Sequence, residues 1–424
     1  MVKNKLIFMV REYNHLDQLT PIIETLIDRY IVIILMSDQN YDYNKDMNLE
    51  YLKNKYEDLR TYSLYNVYLS DSIVMSLIYK LHKKLFKLRD IKISKYIDKV
   101  LKFPTVISNI VLCRYKNAHT INLNTLLETL DCDIANSVLV TDFGGDELYE
   151  QILIQSKAIN LCTVGILHGL NIYTNKLLIK NQLSYEMKNN ENFKYADYLN
   201  YMVPYCSLGV ETLKNAYQTQ VVKLPSLRYT QEWIENRKKR EKVFSTQFDN
   251  YLKIVYMVSS ENYNIWTNEE YKTMKMISLI EGIVLVIKPH PRTLVTVDKM
   301  RHLESDKFII VDNNTSSSAL VDWCDIVMFT SSSILLECLV QKKKILYMRY
   351  LHCNSINLEK FKSLFYDINT RDDVLITIEQ IIKKSYESKM DNDELKEYLF
   401  DYILNNNFKE NQEKYLDLFE RLHD

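Results

Sequence analysis

The feature that most constrains the fold is a recurring unit: a short unbroken run of apolar, often β-branched residues, a polar turn, then a helical pattern. Ile31–Met36 (IVIILM) and Ile283–Ile287 (IVLVI) are the clearest runs. Runs of this length, bounded by turn signals, read as buried strands. They recur at 5–10, 31–37, 137–142, 161–169, 199–207 and 221–226, and again at 252–259, 283–288, 307–313, 326–331 and 343–348. Helical patterns separate them, over 19–26, most of 48–130, 147–160, 269–281 and 316–323, and the last forty residues are polar and helical. Strand alternating with helix implies parallel sheets. The predicted class is α/β, with two facing Rossmann-like domains and an interdomain cleft. Expected bounds are 1–235 for an N-terminal acceptor-side domain with a helical insertion at 48–130, 250–380 for a nucleotide-binding domain, and 381–424 for C-terminal helices. The charged stretch 231–250 reads as a linker.

Composition narrows the class. A net charge of −1 argues against nucleic acid as a partner. The 7 cysteines are odd in number and form no C-x-x-C pair, which predicts free thiols in a reducing compartment and no zinc site. The first fifteen residues hold too short an apolar run for a signal peptide, and no run approaches the ~18 residues of a membrane span. The expected location is cytoplasmic, with peripheral membrane contact left open. That contact would use residues 80–102, which carry nine Lys or Arg against two Asp with leucines at near-helical spacing. The alternative is a solvated helix with its apolar face in the core.

Chemistry-bearing residues cluster at strand ends. Lys288-Pro289-His290-Pro291-Arg292 follows a buried strand, and the prolines stiffen the turn. Two cations and an imidazole at the carboxyl end of a strand favour a phosphate or diphosphate. His290 would donate to a diphosphate oxygen and balance leaving-group charge without a metal. Thr330-Ser331-Ser332-Ser333 precedes a helix start, a second anion site or an ordinary N-cap. Glu337, one turn on, would accept from a ribose diol or lie on the helix surface. In the first half, His168 before Gly169 is a candidate general base, and Gly169 allows close approach of an acceptor. Asp142, at a strand end before Gly144-Gly145, is a candidate catalytic carboxylate. Asp142-Phe143-Gly144 is not a kinase motif, because no glycine-rich loop or His-Arg-Asp segment accompanies it. Asp131-Cys132-Asp133 precedes its strand, the wrong side for a metal-binding Asp-x-Asp. Arg11, Glu12, Asn14 and His15 follow the first strand in a polar loop, where Arg11, Glu12 and His15 would face an acceptor.

Together, Lys288–Arg292 and the serines leading to Glu337 resemble the donor half of bacterial surface-carbohydrate transferases of the GT-B fold. That group includes capsule and lipopolysaccharide sialyl- and Kdo-type transferases and the CDP-glycerol glycerophosphotransferases. His168-Gly169 resembles the His-Gly of the polymerase branch, and Leu224–Tyr229 with Glu232-Trp233 is similar to a segment of surface-carbohydrate biosynthesis proteins. The resemblance implies a metal-independent glycosyltransferase that needs no cofactor beyond its nucleotide-sugar donor, CMP- or UDP-linked. Its acceptor would be a glycan or lipid-linked glycan. Lys288, His290, Arg292 and Ser331–Ser333 would hold the phosphates, Glu337 the ribose, and His168 or Asp142 would be the base. Rival readings are CDP-alditol phosphotransfer, sugar-nucleotide 2-epimerisation and a non-catalytic capsule-assembly role.

Overall fold

The computed structural model of the chain describes residues 3–11, 13–38, 43, 46–69, 73–90, 104–108, 110–112, 121–143, 147–167, 177–179, 182–184, 196–241, 243–244, 247–259, 265–290, 297, 300–312, 315–330, 332–352, 361–383, 391–404 and 407–423. It divides into two compact units, one of residues 1–168, 192–224 and 412–424, the other of 169–191 and 225–411.

The first unit is built on strands β1 (Lys5–Val10), β2 (Ile31–Met36), β3 (Arg60–Ser63), β4 (Ser137–Thr141) and β5 (Cys162–Ile166). After a short antiparallel pair in the second unit, β6 (Leu177–Ile179) and β7 (Gln182–Ser184), the first sheet resumes with β8 (Tyr201–Val203) and β9 (Gln220–Val221). Its order is β3-β2-β1-β4-β5-β8-β9, parallel throughout. Strands β1 and β4 are buried at every position, as a sheet covered on both faces requires. The second sheet contains β10 (Leu252–Met257), β11 (Ile283–Lys288), β12 (Phe308–Ile310), β13 (Ile326–Phe329), β14 (Lys344–Met348) and β15 (Tyr366–Ile368). Its order is β12-β11-β10-β13-β14-β15, again all parallel. Gly282, at φ 77, makes the left-handed turn into β11, and its carbonyl accepts from Leu252.

Each sheet reverses its strand order once, between β1 and β4 and between β10 and β13. At such a switch point the loops at the carboxyl ends diverge, which opens a crevice for a ligand.

Several expectations need correction. The first helix runs Tyr13–Leu26, so His15 sits in a helical turn instead of a loop and Pro21 lies inside the helix. A mid-helix proline removes one backbone hydrogen bond. Burial of Leu16, Leu19, Ile22, Ile23 and Leu26 outweighs that loss. Strand β3 interrupts the stretch expected to be helical; RTYS is half-buried along an edge and carries little apolar signal. Gln231–Lys238 is a helix with Trp233, Ile234 and Arg237 buried, where a linker was expected. Residues 225–235 accordingly group with the second unit, and 412–424 with the first, where Gln412 meets Thr25 and Glu420 meets Arg29.

Candidate functional site

In the first unit, the residues after β1 and β4 meet at the switch point. His15 Nε2 lies 3.2 Å from Asp142 Oδ2, and both side chains are buried. His15, Gln18, Leu19, Asp142, Ile166 and Leu167 pack closely around the pair at a narrow indentation of the surface. A buried carboxylate beside an imidazole orients the ring, the arrangement that prepares a histidine to take a proton. The surrounding shell is aromatic. The Tyr149 hydroxyl donates to the Met9 carbonyl at 3.0 Å. Burial raises its pKa, opposed by Ser37, Arg11 and Thr141 and reinforced by Asp142. The Tyr43 hydroxyl lies 3.1 Å from the carbonyls of both Val10 and Arg11 and accepts from the Asp38 N–H at 3.0 Å. It thereby pins the turn that leads from β1 to His15. Gly165 on β5 leaves room for Phe143: a Cβ there would stand 2.9 Å from the Phe143 ring and 2.7 Å from Leu199.

Neither tyrosine was singled out by sequence. Tyr43 and Tyr149 are two among 32 tyrosines and carry no motif. The base proposed from sequence, His168, lies outside the described residues, as do Glu12 and Gly169. Asp131 is at the amino end of the sheet, paired with Lys5 and Arg60, opposite the edge where Asp142 stands.

In the second unit, the β10 and β13 ends are joined by the Ser259 and Thr330 hydroxyls at 2.6 Å. Next to them β11 ends in Lys288, which is buried, with Nζ donating to the Pro289 carbonyl at 3.3 Å. Burial lowers its pKa from the ordinary 10.5 to about 8, partly offset by Asp312 beyond β12. Burial, with the charge of Lys288, lowers His290 to about 4, so its imidazole is neutral at pH 7 and has one N–H to donate. Ser332 accepts from the Ile334 N–H at 3.4 Å, and Ser333 makes no side-chain cap to the seven-residue helix Ile334–Val340. Arg292 and Ser331 lie outside the described residues.

Glu337 departs from the sequence reading. It is fully buried, not on the helix surface or open to a ribose. Arg237 donates to Oε1, Ser318 to Oε2 at 2.9 Å, and Arg228 Nη2 stands 3.8 Å away. Burial alone would raise its pKa, but the two guanidiniums and the hydroxyl hold it below the ordinary value. Arg237 also approaches Glu241 at 3.7 Å, and Glu241 accepts from Ser316. Arg228, within the Leu224–Tyr229 segment noted for its resemblance, and Arg237, beyond it, thus supply counter-charges to Glu337.

Among the described residues, no group of three or more His, Cys, Asp or Glu is placed to hold a metal ion, and no helix is long and apolar enough to cross a membrane.

No protein-family model matches the sequence, and no curated protein matches it. Solved structures do match over nearly the whole chain. A UDP-N-acetylglucosamine 2-epimerase from Rickettsia bellii has a TM-score of 0.58 at 13% identity, covering 100% of this chain and 98% of that one. A UDP-GlcNAc 2-epimerase from Neisseria meningitidis, bound to UDP-GlcNAc, has a TM-score of 0.55 at 11% identity, covering 97% and 100%. A glycosyltransferase from Rickettsia africae has a TM-score of 0.50 at 13% identity, covering 99% and 100%. At these identities the likeness shows the fold alone: two Rossmann-like units of the GT-B kind.

Proposed function

We propose that this chain is an enzyme acting on a nucleotide-activated sugar. The observation that carries this reading is Lys288, an ammonium buried at a strand end beside the second switch point and flanked by a neutral His290. A lysine and a histidine at the carboxyl end of a strand, beside a switch point, are well suited to meet an anion. A nucleotide diphosphate would take its charge from Lys288 and hydrogen bonds from His290 and from the hydroxyls of Ser332 and Ser333.

In the main reading the enzyme transfers the sugar to a surface-glycan acceptor without a metal ion. His15 would accept the proton of the attacking hydroxyl while Asp142 orients the ring and stabilises the imidazolium. The His15–Asp142 pair is assigned this role beside the earlier candidates, His168 and Asp142 alone. The second reading is 2-epimerisation, favoured by the prevalence of UDP-GlcNAc 2-epimerases among the structures with this fold. Inverting the carbon next to the anomeric centre balances as loss of its proton with departure of the nucleotide diphosphate from C1, then return of a proton to the opposite face as the diphosphate adds back; the His15–Asp142 pair would serve one face and a second group the other.

The test uses UDP-GlcNAc in D2O, with and without a glycan acceptor, in EDTA throughout. Deuterium at C2 and a changed C2 configuration without acceptor would establish epimerisation. Sugar transfer that depends on acceptor, with no deuterium uptake, supports the main reading. No binding of any UDP- or CMP-sugar by calorimetry would refute both.

A further inference from the structure

We propose that the helical pair around Ile73–Asp90 and residues 104–112 in the first unit is a docking surface for an anionic lipid bilayer. Helix Ile73–Asp90 faces inward through Met75, Tyr79 and His82, all buried. At about 100° per residue, the opposite, outward arc carries Ile73, Val74, Leu77 and Leu81. These are 53% to 78% exposed. An ordinary surface helix presents polar residues there.

The neighbouring helical residues are inverted. Thr105 and Ser108 are buried, with Ser108 held by His82 at 2.9 Å, while Val106, Ile107 and Ile110 are 45% to 47% exposed. Apolar side chains are therefore turned out on both helices while hydroxyls are turned in. Four large apolar side chains exposed on one face of a helix mark an interaction site.

Charge selects the occupant. Lys80 and Lys84 are exposed and, by helical position, flank the Ile73–Leu77–Leu81 stripe; Lys83 instead lies over the Tyr43 ring. Leucine and isoleucine between lysines suit a surface of acyl chains under anionic headgroups. A second copy of the chain in a two-fold contact would set these lysines against their own equivalents.

The full chain is sedimented with vesicles of phosphatidylcholine alone and of phosphatidylcholine with phosphatidylglycerol. Binding is expected to the anionic vesicles and to weaken as salt rises. L77Q/L81Q should lose binding, and K80Q/K84Q should weaken it by about fivefold per lysine. Thermal melting should be unchanged in both variants, since all four side chains are exposed. Equal binding to both vesicle types, no binding to anionic vesicles, or wild-type binding by L77Q/L81Q would overturn the proposal. So would a dimer in sedimentation velocity that L77Q/L81Q dissociates, because it would assign the patch to a second copy.

Discussion

Replacing Lys288 with methionine should make the unliganded protein more stable while removing its grip on phosphate. Methionine matches the length and flexibility of the lysine stem and carries no charge to desolvate. The folded state releases the Lys288 proton near pH 8, whereas an unfolded chain keeps it to about 10.5. Between those values the unfolded state binds more protons, so the wild-type protein gains stability as pH rises through the window. Below pH 8 the full penalty applies: the gap between 10.5 and about 8, at about 1.4 kcal/mol per pH unit, is about 3 kcal/mol. Methionine also loses the hydrogen bond to Pro289, worth about 1 kcal/mol. The net gain for Lys288→Met is then about 2 kcal/mol at pH 7, falling to near zero by pH 9.5. Urea unfolding of both proteins across pH 6.5–9.5 measures this, and titration with pyrophosphate checks the accompanying loss of anion binding. A variant less stable than wild type at pH 7, or a difference flat in pH, would refute the idea that burial disfavours the Lys288 ammonium.

Other outcomes follow from the same geometry. Asp142→Asn keeps the shape beside His15 but removes the charge, so turnover should fall by about 10²–10⁴-fold with nucleotide affinity intact; retained turnover in steady-state assays would remove the pair from the chemistry. Glu337→Gln leaves Arg228 and Arg237 buried without their shared carboxylate and should cost about 3–5 kcal/mol in urea unfolding. A neutral effect there would mean that the arginines find other partners. Gly165→Ala presses a methyl group against Leu199 and Phe143 and should cost about 1–3 kcal/mol in the same assay; an unchanged stability would show that Phe143 can move. Cys324 and Cys338 are buried with pKa values raised by burial, so a thiol reagent should leave both unmodified until the protein is unfolded.

Strand runs such as Lys5–Val10 and Ile283–Lys288 were legible because a strand buried on both faces must be apolar at every position. Edge strands escape that rule: Arg60–Ser63 and Tyr366–Ile368 are partly exposed and so carry little periodic signal. His15 and Asp142 were each visible as polar residues near strand ends, but their pairing was not, since 127 positions (142 − 15) separate them in the chain. Only the order β2-β1-β4 sets their strands side by side. Glu337 shows the converse. Its place after a serine run suggested a ligand contact, and only the packing of Arg228 and Arg237 revealed that its charge is answered internally.

The sequence by itself determined the α/β class, the two-fold repetition of a parallel sheet and the chemical character of the strand ends, because these depend on local runs of residues. The tertiary structure decided which strand ends meet. Sheet order is a long-range property, fixed by helices crossing between strands, and it alone joins β1 to β4 and β10 to β13. That joining set His15 against Asp142 and Ser259 against Thr330. Burial, also a property of the whole fold, turned Lys288 from one lysine among many into a cation near the edge of its own ionisation.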